Sequence, residues 1–195
     1  MENKLQSLIE KIKELENELS RDIQKKEEEF FYTIRGKKVR FDREIKSRHQ
    51  RLAKRLRHFL KDAPFLHFLT VPVIWFCLFP ALFLDAVVSI YQFACFPVYG
   101  IPKVKRGRYI VIDRHSLSYL NIVEKVNCVY CGYFNGLIGY VREVAGRTEQ
   151  YWCPIKHARR TSSFHSRSSK FLEYGDADGY RKNIEKIRRD FQDLT

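Results

Sequence analysis

The sequence has no lysine, arginine or glutamate between Pro64 and Pro102, and Asp85 is the one acidic residue in that stretch. A run of this length and composition excludes an ordinary solvated surface segment, because surface segments of soluble proteins are rich in charge. The rest of the chain is crowded with charged residues, so the overall hydrophobic content of 45% averages two unlike regions. This distribution indicates a membrane protein.

The chain also lacks the features of a secreted disulfide framework. It has five cysteines, an odd number, and no charged segment followed by an apolar core and a cleavage site begins the chain. Disulfide-rich scaffolds depend on an even number of cysteines in an oxidising compartment. We therefore expect free or metal-bound thiols in a reducing compartment.

The formal net charge of +13 predicts an anionic partner. The basic residues are densest beside the apolar stretch, and no base-reading motif is present, which favours anionic lipid headgroups over a specific nucleic acid. The residues from Arg40 to Lys61 fit a basic amphipathic helix lying on those headgroups.

The apolar stretch divides at Asp85 into the segments Pro64 to Leu84 and Ala86 to Pro102. As helices they would reach about 31 Å and about 25 Å, against a hydrocarbon core of about 30 Å. Two short spans with a turn at Asp85 fit these lengths, which predicts a membrane hairpin.

Prolines inside the apolar stretch leave a re-entrant variant open. Pro72 and Pro80 would kink the first helix, and Pro97 interrupts the end of the second. A re-entrant turn would bury Asp85, which would then need a partner such as His67.

Basic flanks give the orientation. Seven Lys or Arg residues lie between Lys46 and Lys61, and four lie between Lys103 and Arg108. Because cytoplasmic loops carry the excess of positive charge, both flanks are expected on the cytoplasmic side of a cell inner membrane, with both termini cytoplasmic.

The N-terminal region has an apolar seam at spacings of three and four, typical of a coiled-coil-like helix that forms a homo-oligomer or packs on its own protein. The seam residues are Leu5, Leu8, Ile12, Leu15 and Leu19. The aromatic run from Phe30 to Ile34 before Gly36 predicts a strand or a break before a glycine turn.

Beyond the membrane stretch, the residues from Arg108 to Asp113 are compatible with a strand, and Ser116 is a candidate N-cap of a following helix. A second helix is expected around Tyr140, and a closing amphipathic helix from Tyr180 to Leu194. For Asp176 the expected role is a helix cap.

The cysteine pattern has the spacing of a metal site. Cys128 and Cys131 are followed by Gly132, and Cys153 precedes His157 by four positions. Thiolates two residues apart can bind one tetrahedral ion. The first half resembles the Cys-x-x-Cys-Gly-Tyr knuckle of rubredoxins and zinc ribbons. The fourth cysteine of that pattern is absent, which favours zinc, with iron as the alternative.

Two other interpretations of the cysteines stay open. In a continuous helix, Cys128 and Cys131 would be small hydrophobic residues on one face. As a dithiol pair they would serve a redox or thiol enzyme, with His115 or Glu124 nearby.

A wider resemblance covers Tyr109 to Arg160 and extends back through the apolar stretch to Tyr32. These residues include Asp-Arg-His, Cys-Val-Tyr-Cys-Gly-Tyr and Trp-Cys-Pro-Ile-Lys-His. They are similar to an uncharacterised family of proteobacterial inner-membrane proteins, which implies a bacterial inner membrane and no particular activity.

The sequence thus predicts a mainly α protein in three parts. Residues 1–61 form a cytoplasmic helical arm, residues 62–102 a membrane hairpin of two transmembrane or re-entrant helices, and residues 103–195 a cytoplasmic Cys/His domain. Its expected function is a membrane-anchored interaction module with structural zinc on Cys128, Cys131, Cys153 and His157. The alternatives are a thiol or redox enzyme and a metal-free scaffold, so the sequence does not decide whether the protein is an enzyme.

Overall fold

The structure is a computed structural model that describes residues 2–30, 32–35, 38–159 and 164–194. It is mainly helical, as the sequence predicts. The elements in chain order are α1 (Glu2–Glu29), β1 (Tyr32–Arg35), β2 (Lys38–Phe41), α2 (Arg43–Leu52), α3 (Leu56–Asp62), α4 (Phe65–Phe76), α5 (Leu78–Tyr99), α6 (Ile122–Trp152) and α7 (Ala177–Arg188).

The chain forms two compact units, each made from two separate stretches of sequence. The N-terminal unit contains Met1–Lys61 and Asp113–Asn127, and the C-terminal unit contains Asp62–Ile112 and Cys128–Thr195. The chain therefore leaves the N-terminal unit after Lys61 and returns to it at Asp113.

The N-terminal unit contains a short antiparallel hairpin. Tyr32 pairs with Phe41 and Arg35 pairs with Lys38. Of the two alternatives for the aromatic run from Phe30 to Ile34, the strand is therefore the one that forms, and it begins at Tyr32. Phe31, Gly36 and Lys37, which belong to the same prediction, lie outside the described residues.

Three aromatic rings connect the two stretches of the N-terminal unit. The ring of His49 lies 5.4 Å from that of Phe41 and 5.3 Å from that of Tyr119, edge to face in both cases. Edge-to-face pairs at this spacing are favourable. They join the hairpin and α2 to the segment that follows the apolar stretch.

The basic helix predicted from Arg40 to Lys61 is instead two helices. Arg40 belongs to β2, and α2 ends where Ala53 adopts extended angles, φ −64° and ψ 123°. The prediction of one helix is therefore wrong. The basic residues of α2 and α3 are mostly exposed, and their contact with headgroups stays a prediction.

Helix α1 exposes part of the predicted seam. Leu15, Leu19 and Ile23 follow one another at intervals of four and are 62%, 61% and 48% exposed. The side chains of Leu5, Leu8 and Ile12 lie outside the described residues. The coiled coil stays a prediction.

The C-terminal unit begins with a long apolar helix that is kinked near its middle. From Phe65 to Tyr99, α4 and α5 together form 35 residues, and the most apolar 18 consecutive residues among them have a mean hydropathy of 2.3. Cys77, between them, keeps right-handed helical angles of φ −61° and ψ −17°, and its carbonyl accepts a hydrogen bond from the amide of Ala81 at 3.3 Å. Pro80 has no N–H to give to the preceding turn, which accounts for the break. The chain therefore continues in one direction.

The predicted turn at Asp85 is wrong, because Asp85 lies inside α5. The chain turns instead at Gly100, whose φ of 67° suits glycine, and the amide of Ile101 donates to the carbonyl of Phe96 at 2.9 Å. Beyond that turn, residues 101–112 form a return segment that runs back beside α5 and whose one helical element is the 3-10 turn Arg106–Arg108. The amide of Val104 donates to Gln92 at 2.9 Å. No strand forms between Arg108 and Asp113.

Helix α6 begins later, and runs further, than the sequence predicts. Asn121 caps it: the Asn121 side chain accepts from the amide of Glu124 at 3.0 Å, and the Glu124 carboxylate accepts from the amide of Asn121 at 2.8 Å. Ser116, the predicted cap, lies in a short 3-10 turn. The two helices predicted between Ser116 and the last cysteine are one continuous helix of 31 residues.

Three glycines let the return segment lie against the backbone of α6. A Cβ added at Gly136 would come within 2.6 Å of the carbonyl oxygen of Tyr109 and 2.7 Å of the Cα of Ile110. At Gly132 it would meet the carbonyl oxygen of Val111 at 3.2 Å, and at Gly139 the ring of Tyr109 at 3.3 Å. These glycines form a contact surface inside a helix and do not mark turns.

The C-terminal end folds around a buried arginine. Arg167 is 1% exposed. Its guanidinium donates to both carboxylate oxygens of Asp193, at 2.5 and 3.0 Å, and to the side chain of Gln150 at 2.6 Å. As predicted, Asp176 caps the closing helix, accepting from the amide of Gly179 at 2.8 Å. That helix, α7, starts and ends earlier than the predicted range.

Replacing Gly136 by alanine should destabilise the C-terminal unit. The new methyl group would displace the backbone of the return segment, and overpacking of this kind costs about 1–3 kcal/mol. The helix propensity of alanine offsets up to about 1 kcal/mol of that cost. Denaturant unfolding of the purified chain, followed by circular dichroism, measures the difference. Gly132→Ala is the matched control and should lose less, because its methyl group meets one oxygen at 3.2 Å. Equal stability of Gly136→Ala and the parent would contradict the contact.

The Asp193 carboxylate should stabilise the fold in a pH-dependent way. The hydrogen bonds from Arg167 lower the pKa of Asp193 well below its usual range, against partial burial, which raises it. Its contribution is therefore present above the unfolded-state pKa of about 3.9 and is lost as pH falls through the folded-state value.

We expect Asp193→Asn to reduce the free energy of unfolding by about 1–3 kcal/mol at neutral pH, because a buried guanidinium loses its partner. The difference from the parent should shrink below about pH 4. Glu185→Gln is the control, since Glu185 pairs only at the surface, 3.0 Å from Arg188, and should change little. A difference for Asp193→Asn that is equal at both pH values would contradict the assignment.

Candidate functional site

The four predicted metal ligands lie at opposite ends of α6. Cys128 and Cys131 are in its second and third turns, whereas Cys153 follows its last residue and His157 lies four positions beyond. The 21 residues between Cys131 and Cys153 are helical, so the two cysteines lie 22 positions and about 33 Å apart along the helix axis. A tetrahedral zinc ion requires its sulfur ligands within about 2.3 Å. The structure therefore does not bring the four residues to one ion.

The residues of the predicted knuckle, Cys128 to Tyr133, are helical in the structure. A rubredoxin-like knuckle needs the backbone to curl after the second cysteine, but Gly132 continues the helix and faces the carbonyl of Val111. In the described part of the chain, no three His, Cys, Asp or Glu side chains are grouped so that they could hold an ion. Bound zinc, or iron, stays a prediction for which these residues offer no common site.

Cys128 and Cys131 occupy one face of a helix. Both are free, with Cys128 half-buried and Cys131 exposed. Tyr130, between them, donates its hydroxyl to the carbonyl of Ile74 at 2.8 Å and packs on Trp75 with ring centroids 5.4 Å apart. The continuous helix agrees with the interpretation of the two cysteines as buried small hydrophobic residues, but the exposure of Cys131 does not agree with it. The structure does not test the redox interpretation.

The centre of the C-terminal unit is a polar cluster around Asp85. Arg106, from the return segment, donates to both carboxylate oxygens of Asp85, at 3.0 and 2.6 Å. Tyr133 of α6 donates its hydroxyl to the same carboxylate at 2.9 Å, and Ser89 lies 3.4 Å away. The carboxylate, which is nearly fully buried, thus receives hydrogen bonds from α5, from the return segment and from α6.

The cluster continues along α5 toward the turn. Gln92 donates to the hydroxyl of Tyr140 at 2.6 Å and accepts from the amide of Val104 at 2.9 Å. Tyr140 is fully buried. Further along, the hydroxyl of Tyr91 lies 3.1 Å from that of Thr148. Since the contacts advance in the same order along both helices, α5 and α6 run parallel.

The opposite face of α5 is apolar and has no cover. Phe79, Phe83, Ile90, Phe93 and Val98 are 69%, 72%, 66%, 71% and 77% exposed. In α4, every side chain from Phe65 to Ile74 is exposed, whichever way it points. A continuous apolar surface of this extent marks a contact with lipid or with another protein.

His157 lines a separate cavity of about 710 Å³ at the far end of the unit. The histidine facing it there, His165, is held at both nitrogens: Nε2 lies 2.9 Å from the Glu149 carboxylate, and Nδ1 accepts from the amide of Arg167 at 3.2 Å. With neither nitrogen free, His165 is not placed to act as a general base. Lys156, also on this cavity, is paired with Glu173.

The partner of Asp85 is the residue that the sequence interpretation missed. Arg106 was counted only as part of a basic flank, and the partner expected for a buried Asp85 was His67. Twenty-one positions separate Asp85 from Arg106, so no helical or strand spacing signals the pair. The sequence does contain one signal. A single carboxylate in an uncharged run needs a cationic partner, and the nearest basic cluster, which contains Arg106, follows that run.

Comparison with known proteins finds no matching family model, no matching curated protein and no matching solved structure.

Proposed function

We propose that the protein is a membrane-anchored helical scaffold that enters the lipid from the cytoplasmic face of a bacterial inner membrane and keeps both termini on that face. The observation that supports it best is the uncovered apolar face of α4 and α5. Of the most apolar 18 residues in this helix, 11% are buried. Lipid acyl chains would cover that face without requiring any hydrogen bonds from it.

Two features favour insertion from one side over a single crossing. The helix of 35 residues would extend about 50 Å, well beyond the hydrocarbon core of about 30 Å. In addition, residues on both sides of the apolar stretch belong to the N-terminal unit. A polar unit built from both flanks requires the chain to come back to the side that it left.

The return segment decides how the helix lies. It carries the four basic residues Lys103, Lys105, Arg106 and Arg108, and its regular backbone hydrogen bonds are confined to the 3-10 turn Arg106–Arg108. Such a segment cannot cross hydrocarbon, because its peptide groups and charges would be unsatisfied there. We therefore place the face of α5 that bears Asp85 toward the protein and water, and the opposite face toward acyl chains. In this placement α5 lies along the interface, which differs from the re-entrant hairpin that would turn inside the bilayer.

Basic residues beside the anchor support the same placement. The exposed lysines and arginines of α2 and α3 precede the apolar stretch in sequence. Lys103 lies beside the apolar surface in space, over the ring of Phe93. Each contributes about 1 kcal/mol of attraction to anionic headgroups.

For the scaffold role, the support comes from α1. Its exposed leucines at Leu15 and Leu19 offer an apolar stripe to a second copy of the chain. The zinc module and the thiol enzyme are less well supported, because α6 separates the predicted ligands and Cys128 and Tyr130 take part in helix packing.

Site-directed labelling tests the one-sided anchor. In a variant whose five cysteines are replaced by alanine, with the parent's circular dichroism, a single cysteine is introduced by Lys105→Cys, an exposed position in the return segment just beyond the far end of α5. A membrane-impermeant maleimide should label it in inverted inner-membrane vesicles and not in intact spheroplasts. Tyr174→Cys, an exposed position in the C-terminal unit, is the cytoplasmic reference and should behave in the same way. Labelling of either residue from the outside would overturn the proposal.

Thiol reactivity and metal content test the choice between scaffold and zinc module. We expect Cys131 and Cys153, both exposed, to react with a maleimide at once and without chelator. Elemental analysis of the parent and of Cys131→Ser should show no difference in bound zinc. Protection that is lost on adding chelator, together with about one equivalent of zinc that disappears in Cys131→Ser, would favour the zinc module.

A further inference from the structure

The N-terminal unit contains a cavity of about 560 Å³ between the start of α2, strand β2 and the segment before α6. Ligand pockets are commonly of this size. The cavity is bordered on one side by Arg40 and Lys46 and on the other by His115 and Lys125. Its two sides thus come from the two stretches that make up the unit.

The lining of this cavity is cationic and contains no carboxylate. Arg40, Lys46 and Lys125 line it, and the charged groups of these three side chains have no ion-pair or hydrogen-bond partner within the described part of the chain. The acidic residue nearest in sequence to Lys125 is Glu124, whose carboxylate is engaged in capping α6. Three unpaired cations around one cavity repel one another unless an anion lies between them.

Neutral polar groups complete the surroundings of such an anion. Gln50, His115 and Ser118 line the same cavity and offer an amide, an imidazole and a hydroxyl. A tetrahedral oxyanion accepts many hydrogen bonds from several directions, and lysine and arginine together are the usual residues that bind phosphate. A carboxylate ligand would use fewer of these donors.

We propose that this cavity binds a phosphate group through Arg40, Lys46 and Lys125. The group could be presented by the headgroup of an anionic phospholipid or by a soluble phosphorylated compound, and the chemistry of recognition is shared. The inference does not depend on the anchor proposed above, because binding of a soluble phosphate would be seen whether or not α5 crosses the membrane.

Binding is measured on the full chain in nanodiscs at about 0.15 M salt, where unspecific surface attraction is screened. In one arm, the discs contain only phosphatidylcholine, and inorganic phosphate or glycerol 3-phosphate is titrated by calorimetry. In the other arm, the discs contain increasing phosphatidylglycerol, and the unfolding temperature is recorded. Saturable binding in the first arm indicates a soluble ligand. A saturable stabilisation in the second arm alone indicates a lipid headgroup.

The double substitution Lys46→Gln and Lys125→Gln should weaken the response of whichever arm is positive by at least about tenfold, the loss of roughly 1.4 kcal/mol. The matched control is Lys182→Gln with Lys186→Gln, which removes the same charge from the exposed face of α7 outside the cavity. It should change the affinity less than about twofold. Circular dichroism confirms that both variants are folded. Equal weakening by both pairs, or no saturable response in either arm, would overturn the proposal.

Discussion

The packing of the return segment and of α6 against α5 depends on the ion pair between Asp85 and Arg106. A carboxylate near the middle of an apolar helix is unfavourable unless it is paired and hydrogen-bonded. Arg106 supplies both carboxylate oxygens with donors, and Tyr133 supplies one more. Because these partners come from the return segment and from α6, satisfying one buried charge fixes two other segments against α5.

The glycine surface of α6 makes that arrangement possible. For Arg106 to reach Asp85, the residues after it must lie close to α6, and Gly132 and Gly136 remove the side chains that would stand in the way. Each glycine lowers the stability of the helix by roughly 1 kcal/mol relative to alanine. The close backbone contact is therefore what allows the polar cluster to form on one face of α5. The opposite face of α5 is apolar and exposed.

The sequence predicted those parts of the fold that depend on local patterns. The helical class, the apolar stretch of membrane length, the strand at Tyr32 and the cap at Asp176 each follow from residues a few positions apart. The cysteines show the limit of this reasoning, because Cys128 and Cys131 have a spacing that suits both a knuckle and one face of a helix. In the structure these residues are helical, and Gly132 and Gly136 contact residues more than twenty positions earlier in the chain. Neither this contact nor the pairing of Asp85 with Arg106 has a local sequence pattern.

The interleaving of the two units has a consequence for synthesis. The N-terminal unit needs Asp113–Asn127 as well as its first 61 residues, and ribosomes release the chain in order, at about 5–20 residues per second. The apolar helix therefore emerges several seconds before the unit that precedes it can close. During that interval α4 and α5 are exposed without any folded neighbour, so the nascent chain must reach the bilayer, or a chaperone, while it is still being translated.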